Sequence, residues 1–498
     1  MNILAVSNIT NFSDIGNWAF LIQLFYVVFA LAIGNILRRK IPFLRKSLIP
    51  TAIIAGLIIL LLKSFLKYVL NIDATTTNGS AFLVDEGVME LITYHMLGLG
   101  FVAVALKKNP KKDKKQTMTV IDSGAITVGT YLVQAVFGLI VTILAFVLCG
   151  LATRHLGWEE NPTKWFAGLL LPLGYGQGTG QAGTWGRTYE SKFGFEGGTS
   201  FGLTVATIGF IVSAIGGVIY LAYLRRKKLI SKNVVEHLEK NTLDVYESKN
   251  EIPTTESVDK LTVQFILVFV VYALAFLVMF AMERFLVPVL GNFGTNTLSP
   301  LIWGFNFLIG TVMAAVSKAI INGLKKKKVM KREYASNYLL DRISGFFFDI
   351  MIVAGTAAIN LNDLTKTWGI IVILCAVGAI VTFIYVKLTT REVYKDYPHE
   401  GFLAMFGMLT GTASNGMILL REIDPKYETP MANNLVFQSL PAIIFGFPFL
   451  LLLGVAAESM QNSLIVLAAL AIYLVAITIF IFRKRIFKKR VKKEQSKQ

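Results

Sequence analysis

The chain has 498 residues, 54% of them hydrophobic, and a mean hydropathy of +0.60, which is too apolar for a soluble protein of this size. Runs of about 18 or more apolar residues recur, each long enough to cross a bilayer as a helix. A formal charge of +18 would suggest nucleic acid in a soluble protein, but here the basic residues flank apolar runs. Membrane orientation accounts for them, and no nucleic-acid partner is expected.

In chain order, Met1 to Trp18 carries no basic stretch ahead of its apolar run, so the first span is expected to stay in the membrane uncleaved. Asn8-Ile-Thr and Asn11-Phe-Ser are read as chance sequons. The apolar pattern predicts eleven crossings, near 18–37, 48–66, 89–106, 120–149, 199–223, 261–286, 298–322, 339–361, 368–388, 435–457 and 463–482. Two further stretches, 165–190 and 401–422, are apolar but interrupted, and are assigned as re-entrant hairpins.

Loop charge supports this count. Arg38-Arg-Lys40, Lys107-Lys108 through Lys115, Arg225-Arg-Lys-Lys228, Lys325–Lys328 and Arg483 to Lys493 follow spans one, three, five, seven and eleven. The loops holding Asp73, Asp85 and Glu86, and Glu159 and Glu160, are acidic. The positive-inside rule then puts the N-terminus outside and the C-terminus in the cytoplasm of a multi-pass plasma (inner) membrane protein. The alternation holds only if each hairpin returns to the side it entered, so the two hairpins open in opposite directions.

The expected fold is therefore all-α and polytopic, with inverted-topology repeats of five plus five helices and one extra. Residues 1–224 form the first repeat with hairpin 165–190, and 225–260 a cytoplasmic linker carrying one short amphipathic helix. Residues 261–458 form the second repeat with hairpin 401–422, and 459–498 the extra helix and a basic tail near anionic lipid.

The chemistry concentrates at the hairpins. Gly174-Tyr-Gly-Gln-Gly-Thr-Gly180 and Gly183 place five glycines within ten residues, mostly at spacing two, which suits a turning backbone better than small-residue helix packing at spacing four. Gly176, Gln177, Gly178, Thr179 and Gly180 are candidate substrate-binding residues. Gln181 and Thr184 add polar side chains, and a helix starting near Ala182 would attract a carboxylate with its N–H groups. In the second hairpin Thr410, Gly411, Thr412, Ser414 and Asn415 form a polar patch suited to substrate or Na⁺. The competing reading there is an ordinary helix whose hydroxyls bond back to the i−4 carbonyl. Arg421 is a candidate carboxylate partner, and Glu422 and Asp424 follow it.

Ionisable residues inside spans are functional candidates by default. Asp349, with Thr356 and Asn360 further along the same segment, is the candidate Na⁺ region. Asp349 reads equally as a proton carrier or as a structural carboxylate paired with Arg342. Asp122 is placed at the interface, His95 as a satisfied histidine, and Cys149 and Cys375 as buried small apolar residues. Thr204, Thr207 and Gln438 follow the hairpins, and Pro441 and Pro448 are positioned to bend the helix after the second. No H-E-x-x-H, Walker A or paired C-x-x-C occurs, so no enzyme and no cofactor is expected, and pumping would use an ion gradient.

Three segments carry a resemblance. Gly174 to Gly180, Tyr189-Glu-Ser-Lys-Phe-Gly-Phe195 and Ala206-Thr-Ile-Gly209 resemble the glutamate:sodium symporter family, whose pattern reads S-G-G-H-G-T-G, then a Tyr-Gly-Phe segment, then A-T-F-G. Phe43 to Pro50 is similar to its second-helix entry. Gly176, Gly178, Thr179 and Gly180 match directly, Gln177 stands where the family has His, and Gly407 to Ala413 departs from G-F-G-L-G-A-T. The resemblance implies Na⁺ as coupling ion, an anionic amino acid or carboxylate as substrate, hairpins that meet at it, and an elevator-type homodimer. The rival readings are an H⁺-coupled or citrate-like carrier, a channel, and a membrane enzyme or sensor.

Overall fold

The computed structural model describes residues 18–46, 48–70, 72, 83–107, 114–156, 163–227, 260–291, 294–328, 334–424 and 429–495. Among them all regular structure is helical. The first half holds α1 (Ala19–Lys40), α2 (Thr51–Tyr68), α3 (Glu86–Leu106), α4 (Lys114–Leu156), α5 (Thr179–Phe193) and α6 (Gly198–Arg226). The second holds α7 (Lys260–Ala281), α8 (Asn306–Lys326), α9 (Asn337–Ala357), α10 (Trp368–Val393), α11 (Pro398–Leu409), α12 (Ala413–Arg421), α13 (Met431–Phe437), α14 (Ser439–Glu458) and α15 (Met460–Gln495).

Among the described residues ten helices are long and apolar enough to cross a membrane, so this is a multi-pass membrane protein. The expected crossing at 339–361 is helical as α9 but does not join the apolar ten. It carries Asp341, Arg342 and Asp349 within 21 residues. α9 packs chiefly on α3 and α2, with α5, α6 and α7 also against it. The protein-facing side of α9 is apolar, with Ile343, Phe347, Ile350 and Met351 buried, whereas Asp341, Arg342 and Asp349 lie on its exposed side. The expected amphipathic helix of the linker, the sequons and the acidic loop residues Asp73, Glu159 and Glu160 lie outside the described residues.

Two bodies of packing place the interrupted segments. On one side α3, α7, α8 and α9 share an apolar cluster including Val102, Val271, Ala314 and Phe347. On the other, α4 runs against α10, α14 and α15, and also touches the Ala167–Gly176 segment. The extra helix α15 is fastened by charge as well as by packing. Arg483 Nη2 lies 2.7 Å from Asp122 Oδ1, and Lys484 Nζ 3.6 Å from the other oxygen. Asp122 therefore has an ion-pair role, joining α4 to α15.

Candidate functional site

Each interrupted segment folds back on itself. In the first, a distorted helical arm from Ala167 to Gly176 reaches Gly178, and α5 returns. Phe166, at the start of the outgoing arm, packs on Tyr189 and Phe193 near the end of the returning one, with ring centroids 4.8 and 6.1 Å apart. Pro172 has no N–H to give, and the arm relaxes there into a wide turn. Gly178 makes the reversal at φ +82°, ψ −171°, a conformation reserved for glycine. α5 starts at Thr179, three residues before the expected Ala182, so Gly180 and Gln181 sit in its first turn among unspent N–H donors.

In the second segment α11 ends at Leu409 and α12 begins at Ala413. The arms touch closely: a methyl at Gly407 would come within 2.9 Å of the Gly416 Cα. Thr410 bonds its hydroxyl to the Phe406 carbonyl at 2.7 Å, the back-bonding expected of an ordinary helix. Thr412, however, is extended (φ −138°, ψ 170°) and caps the start of α12. Its hydroxyl donates to Asn415 Oδ1 at 3.3 Å.

The two breaks are neighbours. A methyl built on Gly178 would stand 3.4 Å from the Thr412 methyl and 3.7 Å from the Gly411 carbonyl oxygen. Phe210 of α6 lies under both, within 3.8 Å of such a methyl on Gly178 and 3.1 Å of one on Gly411. The helices that leave the breaks, α5 and α12, therefore direct two N-termini at one region. Ser414 faces outward and is exposed, whereas Asn415 is buried.

Two side chains of α4 hold this arrangement, and sequence reasoning passed over both. Tyr131 donates to the Gly176 carbonyl at 3.1 Å. Gln134 donates to the Leu409 carbonyl and to Thr382 Oγ1, each at 2.9 Å. The available signal was two polar residues at i, i+3 inside an otherwise apolar span, together with Thr127 and Thr130. Thr127 in turn donates to Gln438 Oε1 at 2.8 Å.

Several fully buried polar atoms near the breaks have no partner among the described residues: Thr179 Oγ1, Gln134 Oε1 and both amide atoms of Gln181. Buried polar groups are normally paired, so this concentration of unpartnered atoms singles the region out. Thr179 also presses on Gly355 of α9, where a methyl would stand 2.7 Å from its Cβ, and Gly180 packs on Leu97 and Met351.

The candidate Na⁺ residues are spread out. Asp349 is exposed and has no hydrogen bond or ion pair among the described residues, and Arg342 lies over the Tyr338 ring instead. Thr356, two turns on, is buried 3.5 Å from the Thr207 hydroxyl. Asn360 lies past the helix end and donates to Glu86 Oε2 at 3.2 Å. The carbonyls at that end already have a cation. Lys63 Nζ donates to the Ala357 and Ile359 oxygens at 2.9 and 2.7 Å and pairs with Glu86 at 3.1 Å. Nearby, burial pushes the Asp363 carboxyl above the usual carboxylate range, while a hydrogen bond from Ser200 pulls it the other way.

Of the remaining candidates, His95 is satisfied by the Tyr272 hydroxyl at 3.0 Å. Arg421 is exposed at the end of α12, and Asp424 is engaged by Thr429. Thr204 bonds back to Ser200, and Pro448 lies inside α14. Among the described residues no three His, Cys, Asp or Glu side chains gather as a metal site.

Compared with known proteins, residues 19–428 match the family model described as sodium/glutamate symporter. No curated protein matches the chain.

Proposed function

The chain belongs to the sodium/glutamate symporter family, and on that premise we propose that it carries glutamate or a related anionic amino acid or carboxylate with Na⁺. The observation that carries this reading is the meeting of the two breaks at Gly178 and Gly411, beside buried polar atoms that have no partner among the described residues. Two helix N-termini aimed at one place suit a carboxylate, and the carbonyls and hydroxyls of the second break suit a hard cation. Ions that order this backbone would strengthen substrate binding, and the coupling would be reciprocal.

The same reading makes the folded-back segments re-entrant and the halves inverted repeats. Packing supports the correspondence of α1–α4 with α7–α10: α3 meets α9 and α4 meets α10, while the contacts of α2 with α9 and of α3 with α8 exchange roles. The elevator-type homodimer, the plasma-membrane location with the N-terminus outside, and the domain limits belong to this proposal too, drawn from the resemblance and the loop charges.

Proteoliposome uptake of L-glutamate and L-aspartate under an imposed Na⁺ gradient tests it. Uphill uptake that disappears when K⁺ replaces Na⁺ at fixed pH is expected. Equal uptake in K⁺ refutes Na⁺ coupling, uptake that follows a pH gradient assigns protons instead, and uptake without saturation or counterflow assigns a channel.

A further inference from the structure

Beside the breaks, α3, α5 and the short helix Ser299–Gly304 enclose a cavity of about 470 Å³. Its walls include Glu90, Thr184, Arg187, Thr188, Lys192 and Trp303. Two of these are basic and lie on the returning arm of the first hairpin. Arg187 Nε stands 3.4 Å from Glu90 Oε2. Among the described residues that is the only ion pair of its guanidinium, and it leaves the two Nη groups uncommitted. Lys192 donates to the Thr295 carbonyl at 3.1 Å, at the rim.

Gln181, Thr184, Thr188 and Lys192 follow one another at i, i+3, i+7 and i+11, so they share one face of α5. The last three line the cavity, and the first stands a turn further toward Gly178. Gln181 is 1% exposed, and among the described residues neither its amide oxygen nor its amide nitrogen has a partner. A polar stripe thus runs from the rim to the breaks, with a cation at its mouth, a half-engaged guanidinium midway and an unspent amide at its inner end.

We propose that this cavity is an anion vestibule, in which Arg187 pairs with Glu90 at rest and with a carboxylate in transit to the hairpin breaks. A guanidinium presents a planar fork that binds a carboxylate through two N–H groups, and only Nε faces Glu90 here. Glu90, the more buried of the two, holds the half-exposed guanidinium when no anion is present and competes with the anion when one is. The inference rests on the proposed carriage of an anionic substrate, and adds where that anion is first held.

Two measurements test it separately. The first is L-glutamate uptake under a Na⁺ gradient. Arg187→Gln is expected to raise KM about tenfold with little change in maximal rate, the effect of losing one charge-assisted bidentate contact. Glu90→Gln is expected to lower KM, because the resident competitor is gone. If both variants damage uptake alike, the pair is structural and the vestibule is refuted.

The second measurement does not depend on which molecule is carried. In purified protein bearing Thr188→Cys, the reaction rate with an anionic methanethiosulfonate is compared with that of a cationic one. Arg187→Gln in that background is expected to lower the anionic-to-cationic rate ratio about tenfold, since a nearby charge concentrates its counter-ion. An unchanged ratio, or a cysteine that does not react, overturns the vestibule. Wild-type protein that takes up no L-glutamate while the rate ratio shifts as expected would sink the substrate reading and leave the vestibule standing.

Discussion

Gln134 Nε2 donates to the carbonyl of Leu409 at 2.9 Å, across 275 residues of chain. One turn earlier on the same helix, Tyr131 donates to Gly176 at 3.1 Å. A single rigid element thereby sets the position of both breaks. Each bond satisfies a carbonyl close to where helical pairing stops, so the ends are not left to find water.

Replacing Gln134 with Met keeps the volume but strands the Leu409 carbonyl and leaves the Thr382 hydroxyl without its partner. Each buried unsatisfied group costs about 1–3 kcal/mol. The variant is expected to melt several degrees lower in detergent and to lose most Na⁺-driven uptake. A melting curve unchanged from wild type would show that α4 does not position the second break.

Gly178 is constrained by its dihedral angles, not by space. The nearest atom to an added methyl is an ordinary contact away at 3.4 Å, but φ is +82°. A non-glycine residue in such a region costs roughly 1–3 kcal/mol. Gly178→Ala is expected to reduce uptake and Gly178→Val to abolish it, with both proteins still inserted and monodisperse by gel filtration. Normal uptake by the Val variant would place the site elsewhere.

Asp122 is 4% exposed, and its pairing with Arg483 ties α15 to α4. Removing one member of a buried pair strands the other at a cost of roughly 3–5 kcal/mol, here softened by the partial exposure of Arg483, while Lys484 loses the same carboxylate. Asp122→Asn is expected to lower the melting temperature clearly, and the double variant Asp122→Asn/Arg483→Leu to recover part of it. Additive losses in that cycle would mean the two residues are not energetically coupled.

Lys63 gives its ammonium to two carbonyls at the end of α9 and to Glu86. Lys63→Met removes the cation and leaves Glu86 with Asn360 as its remaining hydrogen-bond donor there. Thermal unfolding is expected to show a larger loss for Lys63→Met than for Lys63→Met/Glu86→Gln. The reverse order would show that the lysine serves the carbonyls alone.

The membrane character, most of the crossings and the positions of both interruptions were legible in the chain itself. Apolar runs of bilayer length have few alternatives in lipid, and a row of glycines at spacing two cannot be a comfortable helix. The 339–361 segment was expected as a crossing and is helical, but its three ionisable residues keep it out of the ten helices apolar enough to span a membrane. The surroundings of Asp349 and Asn360 were not legible: Arg342 does not meet Asp349, which has no partner among the described residues, and Lys63, nearly 300 positions before Asn360, caps the carbonyls beside it.

Sequence by itself determined where the backbone must stop being helical, since that is a local matter of φ, ψ and missing N–H groups. Only the tertiary structure decided that the two breaks touch, that Tyr131 and Gln134 hold them, and that Glu90 and Arg187 share a cavity beside them. Those are contacts between residues dozens to hundreds of positions apart. They are fixed by how the apolar helices and the more charged α9 pack, and no local pattern encodes that geometry.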